Sequence, residues 1–366
     1  MPPTTVAREA LVQSLTEFQN ASSPHAMGRA SRRLVDQARR NVANALGGDE
    51  KSVFFTSGAT EANRWLVESI IHHGQNLQRP LNVVSSALEH PSLAKPLAVA
   101  HEKQQIALRI VDVTTSGTLD LPTTALQDVD VLCCTAAHNE TGIIPRIEEL
   151  VRNLPDETIL IRDAAQAVAR LPILDQRVDA VVASAHKIGG YPGAGAVLLR
   201  GRARRMPAPW SGGGQEHGLR PGTEAFPLLR AFGEAAAHIE EMRLAHSALK
   251  EHREHFEITM KRALSNIQII GETMERLPNT TALTVHDVDG EALRMAVDMA
   301  GLCVGFGSAC SALAPEPSPA LIRLGLSRTE ARATMRVSLA PHTTEQSISH
   351  LTKELVALIH RLRGSQ

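Results

Sequence analysis

Hydrophobic and polar positions divide the chain into two textures. From Ser31 to Leu46, the residues Leu34, Val35, Ala38, Val42, Ala45 and Leu46 recur at the spacing of one helix face, and Gly47-Gly48 follows. This predicts an amphipathic helix that stops where a residue without a side chain tolerates the left-handed region. Short apolar runs then alternate with helix-like stretches: Val53 to Thr56, Leu81 to Ser85, Ile106 to Val111, Val129 to Cys134, Thr158 to Ile161, Val178 to Ala183 and Ala196 to Leu199. Strands that are apolar almost throughout and alternate with helices predict an α/β fold with a mostly parallel sheet covered on both faces.

Past residue 242 the texture changes. A charged helical stretch runs from Met242 to Leu264, then come an apolar run from Thr280 to Val285, a helix from Glu291 and a strand around Met335 to Leu339. A capping-box pattern, Thr343 with Gln346, predicts the start of a last helix running toward Arg363. The prolines at 315, 317 and 319 predict an exposed loop over Ala312 to Pro319. The expected organisation is a large α/β domain over 9–242 and a small α+β domain over 243–366 joined by 1–8. A length of 366 residues agrees with about two domains.

Charge and composition narrow the partners. With 38 Lys+Arg against 39 Asp+Glu there is neither a nucleic-acid groove nor an acidic tail, and 3% aromatic residues leave little for base stacking. No run of eighteen apolar residues and no signal pattern at Met1-Pro2-Pro3-Thr4-Thr5-Val6 occur, so a cytoplasmic protein with no membrane partner is expected. Cys133, Cys134, Cys303 and Cys310 are too few and too irregularly spaced for a disulfide scaffold or a zinc site, so reduced thiols and no metal are expected.

Candidate chemistry gathers just past the predicted strands. Lys187 directly follows the run ending at Ser184 and precedes a glycine-rich turn; a lysine there is a surface residue or, if desolvated, an amine suited to imine formation with an aldehyde. Phe55-Thr56-Ser57-Gly58-Ala59-Thr60 leads from a strand into a helix N-terminus of the kind that holds phosphate, although ordinary helix caps share the pattern. Asp163 follows another strand, as a turn aspartate or as a partner for a protonated ring nitrogen. His90, pushed toward extended geometry by Pro91, is a solvated loop histidine or an imidazole aimed into a crevice. All four lie where open α/β sheets bind ligands.

In order and wording these motifs resemble the class V, fold-type I pyridoxal-phosphate enzymes, and more narrowly the NifS-like cysteine desulfurases. The resemblance rests on Thr56-Ser57-Gly58-Ala59-Thr60-Glu61, Glu89-His90, His138-Asn139-Glu140-Thr141-Gly142, Asp163-Ala164-Ala165-Gln166, Ser184-Ala185-His186-Lys187, Gly212-Gly213-Gly214-Gln215-Glu216, Arg220-Pro221-Gly222-Thr223 and Gly307-Ser308-Ala309-Cys310. It implies a seven-stranded sheet in the large domain, pyridoxal 5′-phosphate bound covalently to Lys187, and His90 stacked on its ring. It further implies that Asp163 pairs with the ring nitrogen and Gln166 with the phenolic oxygen. Ala59, Thr60, Ser184 and His186 would hold the phosphate, joined by Thr223 from the other subunit of a homodimer. Asn139 and Arg336 would orient the carboxylate of the L-cysteine substrate. Arg336 also stands opposite the apolar residues of Met335-Arg336-Val337-Ser338-Leu339, a position that a plain solvent-facing arginine shares.

By the same resemblance the Cys310 thiolate takes sulfur from L-cysteine as a persulfide, releases alanine, and delivers the sulfur to an iron–sulfur scaffold or a thio-transfer protein. The distance from Cys310 to Leu321 is similar to that in the group with a long cysteine loop. A buried small hydrophobe is the common alternative for a free cysteine, and Cys303, Cys133 and Cys134 fit it better than Cys310. The chain departs from the family in its short N-terminal segment, in Phe306, in Ala340-Pro341 and in the short stretch after the last helix. An aminotransferase or selenocysteine lyase, and a catalytically silent scaffold or sulfur-transfer partner, remain as alternatives.

Overall fold

The computed structural model describes residues 1–16, 20–173, 177–307 and 316–364. The chain forms two compact units. The first comprises Met1–Val111, Leu121–Ala136 and Ile147–Arg243, the second Asp112–Asp120, Ala137–Arg146 and Leu244–Gln366. Residues 1–8, expected with the small domain, fall in the first unit, where the Thr4 N–H donates to the Gly189 carbonyl at 2.8 Å. Two stretches from the expected large domain fall in the second. There the Ile144 N–H donates to the Glu275 carbonyl and the Leu277 N–H to the Gly142 carbonyl, backbone pairs that no local periodicity reveals.

In the first unit the elements are α1 (Thr5–Thr16), α2 (Ala26–Leu46), β1 (Val53–Thr56), α3 (Ala59–Asn76), β2 (Leu81–Ser86), α4 (Pro91–Glu102), β3 (Ile106–Val111), β4 (Val131–Cys133), α5 (Glu148–Asn153), β5 (Ile159–Asp163), β6 (Ala180–Ser184), β7 (Gly195–Leu199) and α6 (Phe226–Ala237), and α7 (Ile239–Ser247) begins in the first unit and ends in the second. The expected seven-stranded sheet is present, in the order β1-β7-β6-β5-β4-β2-β3. Four neighbouring pairs are parallel, while β7 runs antiparallel to both β1 and β6. The inner strands β4, β6 and β7 are buried along their length, as a sheet covered on both faces requires; β2 exposes only Asn82 and β5 half-exposes Arg162, while β3, at the edge, exposes Ala107, Arg109 and Ile110. Phe54, Trp65, Leu66, Ile70, Leu81, Leu93 and Leu97 fill one face of this core.

Boundaries differ from the periodicity where side chains other than apolar ones decide them. α2 begins at Ala26, ahead of the expected Ser31, because the His25 side chain caps it by accepting from the Gly28 N–H at 3.1 Å. It ends on Gly47 in the left-handed region at φ 71°. β5 extends to Asp163 and β6 to Ser184, each paired in the sheet, so both residues are strand ends rather than loop residues.

The second unit holds α8 (Leu249–Ala263), β8 (Ile267–Ile269), β9 (Thr280–Val285), α9 (Gly290–Met299), β10 (Gly305–Phe306), α10 (Pro319–Arg323), α11 (Arg328–Arg332), β11 (Thr334–Ser338) and α12 (Glu345–Gly364). Its four strands form an antiparallel sheet in the order β10-β11-β9-β8, packed through Leu283, Met335 and Val337 against Phe256, Leu293 and Leu355. The stretch expected as one helix from Met242 is α7 and α8 with Ala248 between them in helical geometry. The cap before α12 is Thr344, whose hydroxyl accepts from the Ser347 N–H at 3.2 Å; Thr343 instead accepts from the Ala340 N–H and closes the preceding turn. Within the described part of the proline-rich stretch, Pro317 and Ser318 are buried and the exposed Pro319 opens α10. No helix among the described residues is long and apolar enough to cross a membrane.

Candidate active site

Three candidate residues of the first unit stand at strand ends. His90 follows β2 and caps α4 in extended geometry, φ −61° and ψ 145°, as its place before Pro91 predicts. Asp163 ends β5 and is buried; its carboxylate accepts from Asn63 Nδ2 at 2.8 Å and from the Ala165 N–H at 2.9 Å. Lys187 closes the single helical turn Ala185–Lys187 that follows β6. Part of the His90 ring is open to solvent, yet the packing around it lowers its basicity; the nearby Lys187 charge adds to the effect and Asp163 opposes it. Asp163 and Lys187 therefore both lie within electrostatic reach of His90.

The phosphate candidates surround the same strand ends. Ala59 and Thr60 open α3, and Gly58 at its N-cap supplies no side-chain acceptor for the backbone donors of the first turn. Behind them Gly195 meets Gly58 closely: a Cβ at 195 would stand 2.5 Å from the Gly58 Cα, so the floor of this cradle admits backbone only. Ser184 Oγ lies 2.8 Å from His186 Nδ1, and burial with the Lys187 charge lowers the basicity of His186. Gln166 is half-buried on the turn after β5. Thr223 is exposed on a loop that Arg220 ties to α3, donating to Glu61 at 2.7 and 3.1 Å.

Sequence reading misses several supports. Asn63 is fully buried on the inner face of α3, where Val67, Ile70 and Gly74 follow at helical spacing. A polar residue in that stripe was the available signal. Glu89, quoted only within a motif, is also buried. Its Oε1 accepts from Ser86 Oγ at 2.6 Å and from the Thr135 N–H at 2.5 Å, while Oε2 has no hydrogen-bond partner. Burial and then the Asp163 charge push its carboxyl up to about 7, against those two hydrogen bonds and the Arg162 charge. Arg39 and Glu216 form a buried bidentate pair at 2.6 and 2.7 Å, and Glu216 also accepts from the Phe55 N–H, which fixes β1 just before the cradle.

In the second unit, Arg336 lies against the backbone of Asn139. Arg336 Nη1 donates to the Asn139 carbonyl at 2.9 Å, and Nε is buried without a hydrogen-bond partner, a donor free for an anion. Arg336 stands between the buried Met335 and Val337 on the other face of β11. Beside it Glu140 has its carboxyl raised by burial, opposed by a hydrogen bond with Ser318 and the Arg336 charge.

Among the cysteines, Cys310 lies outside the described residues. Cys133 and Cys134 are buried, and burial pushes Cys134 up to about 12 and Cys133 well above its ordinary value, which leaves both inert. Cys303 is exposed, contrary to the expectation of a buried hydrophobe: Leu302 and Val304 pack on the core, and alternation turns the residue between them outward.

The class-V aminotransferase family model matches residues 1–351. A cysteine desulfurase of Nostoc sp. strain PCC 7120 is 31% identical over 370 residues, covering 97% of this chain and 90% of that protein. The cysteine desulfurase IscS of Anaeromyxobacter sp. strain Fw109-5 is 33% identical over 359 residues, covering 95% and 87%. A solved NifS-like protein superposes with a TM-score of 0.88 at 24% identity over 99% of this chain and 97% of that one, a likeness of fold. DndA from Streptomyces lividans gives 0.76 at 28% identity over 92% and 96%.

Proposed function

This chain belongs to the class-V aminotransferase family, and from that premise we propose that it is a pyridoxal 5′-phosphate-dependent cysteine desulfurase acting on L-cysteine as a homodimer. The observation that carries the reading is that Asp163 and Lys187 both lie within electrostatic reach of His90 at strand ends of the unit whose helix α3 opens uncapped at Ala59 and Thr60. That donor set fits the cofactor. The cradle, Ser184 and His186 suit a phosphate, the buried Asp163 suits a protonated ring nitrogen, and Lys187 suits an aldehyde.

When bound, the cofactor supplies an electron sink that labilises bonds at the substrate α-carbon and, through it, the bond from β-carbon to sulfur. Lys187 Nζ is assigned the covalent attachment and, once displaced by substrate, a proton transfer at the α-carbon. His90 would cover the ring, the Asp163 carboxylate would keep its nitrogen protonated, and Gln166 would donate to the phenolic oxygen. Arg336 and Asn139 are assigned the substrate carboxylate, for which the unpartnered Arg336 Nε is a ready donor. Cys310 is assigned the nucleophile. Its thiolate bonds to the substrate sulfur as the carbon–sulfur bond breaks, the electron pair stays with the β-carbon, and that carbon takes a proton to complete alanine. The product on the enzyme is a Cys310 persulfide, to be passed to an acceptor protein such as an iron–sulfur scaffold or a thio-transfer protein.

Thr223 is assigned to the partner subunit's phosphate, so dilution to monomer is expected to weaken cofactor retention. The test of the reading is incubation of the purified, cofactor-loaded protein with L-cysteine. Stoichiometric alanine and protein-bound persulfide are expected. Amino transfer to an oxoacid without sulfur release would install the aminotransferase alternative, and a protein that retains no cofactor would install the silent scaffold.

A further inference from the structure

We propose that Asn63 is a positioning residue that holds Asp163 and, through Ser92, fixes His90 as the neutral tautomer with its proton on Nε2. The inference rests on the roles given above to His90 and Asp163, and its geometry lies wholly within the first unit. Asn63 is fully buried, and its amide nitrogen donates in two directions: to Asp163 Oδ2 at 2.8 Å and to Ser92 Oγ at 2.8 Å. The amide orientation follows from chemistry, because an oxygen in that place would face a carboxylate that already accepts from the Ala165 N–H.

Ser92 completes the relay. Its hydroxyl oxygen accepts from Asn63, so its own hydrogen is directed at His90 Nδ1, 2.8 Å away. The backbone N–H of Ser92, which only donates, reaches the same nitrogen at 3.1 Å. Two donors converge on Nδ1, and a proton there would face both. The ring proton therefore sits on Nε2, and His90 offers a donor and no base on that side. The partial desolvation of the ring by its packing and the Lys187 charge both disfavour a second proton; Asp163 alone among the named neighbours favours it, and it also accepts from Asn63 and Ala165. One side chain thus serves the ring-nitrogen partner and the stacking histidine together.

The test is two-bond proton–nitrogen correlation spectroscopy of the histidine rings in the full-length, cofactor-loaded protein, with His90→Gln identifying the His90 signal. The wild type is expected to show a single Nε2–H pattern. Asn63→Leu, which keeps the branched outline and removes the donor, is expected to give a mixture of tautomers and to weaken cofactor retention about tenfold. Ser92→Ala is expected to loosen the tautomer in the same way, and Ser92→Thr, which restores a hydroxyl, to recover it. If Asn63→Leu fails to fold, the two Ser92 variants decide. A wild-type ring protonated on Nδ1, or donor-deleting variants with an unchanged pattern, overturns the proposal. The measurement needs no turnover, so an inactive protein with the Nε2–H pattern would sink the desulfurase reading and leave this one standing.

Discussion

The guanidinium of Arg336 lies against the backbone of Gly305, its antiparallel partner across β10 and β11: a Cβ at 305 would stand 2.9 Å from Nη2 and 3.1 Å from Cζ. Gly305 leaves the room that the arginine occupies while it donates to the Asn139 carbonyl. Gly305→Ala is therefore expected to displace the guanidinium. With a charge-assisted hydrogen bond worth about 1.5 to 3 kcal/mol, KM for L-cysteine should rise about 10- to 100-fold with a smaller change in kcat. Steady-state kinetics beside a thermal melt check this; an unchanged KM would remove Arg336 from the substrate carboxylate.

Lys187→Ala should abolish covalent cofactor attachment. Borohydride reduction of the wild type followed by peptide mapping should label Lys187, and label on any of the other six lysines would overturn the assignment.

Cys310→Ser should retain cofactor and bind L-cysteine, yet form neither alanine nor persulfide, because so little of a serine hydroxyl is ionised at neutral pH. Cys303 is the demanding control: it is exposed, so its chemistry is not blocked by burial, and Cys303→Ser should leave turnover intact. Alanine release by Cys310→Ser at the wild-type rate would dismiss the mechanism.

Glu89 makes stability depend on pH. Its folded carboxyl is pushed up to about 7 from an ordinary 4.5, so the folded chain holds this proton more tightly than the unfolded one. The stabilisation is complete below pH 4.5 and is lost as pH rises to about 7, beyond which the dependence is flat. Between pH 5 and 8 the loss is about 2 to 3 kcal/mol. Glu89→Gln keeps an acceptor for Ser86 and Thr135 and should cancel that slope in urea unfolding measured at the two pH values. Equal slopes in both proteins would mean that Glu89 is already ionised in the fold.

The chain by itself determined what depends on neighbours in sequence. β1, β3 and β9 have the bounds that their runs predict; β1 and β9 are buried throughout, while the edge strand β3 exposes Ala107, Arg109 and Ile110. The strand-end positions of His90, Asp163 and Lys187 were legible for the same reason: a motif directly after such a run has only one place to be. Tertiary structure decided what depends on partners far apart along the chain. Asn63 meets Asp163 across 100 positions and Arg336 meets Asn139 across 197, so no window of sequence holds both members of either pair. Cys303 turned outward because its two neighbours found a core, and the Glu89 carboxyl rose because distant strands closed over it. Periodicity reports which face of an element is apolar. Which polar groups that face buries together, and hence their charge and proton positions, is set only when the elements pack and exclude water.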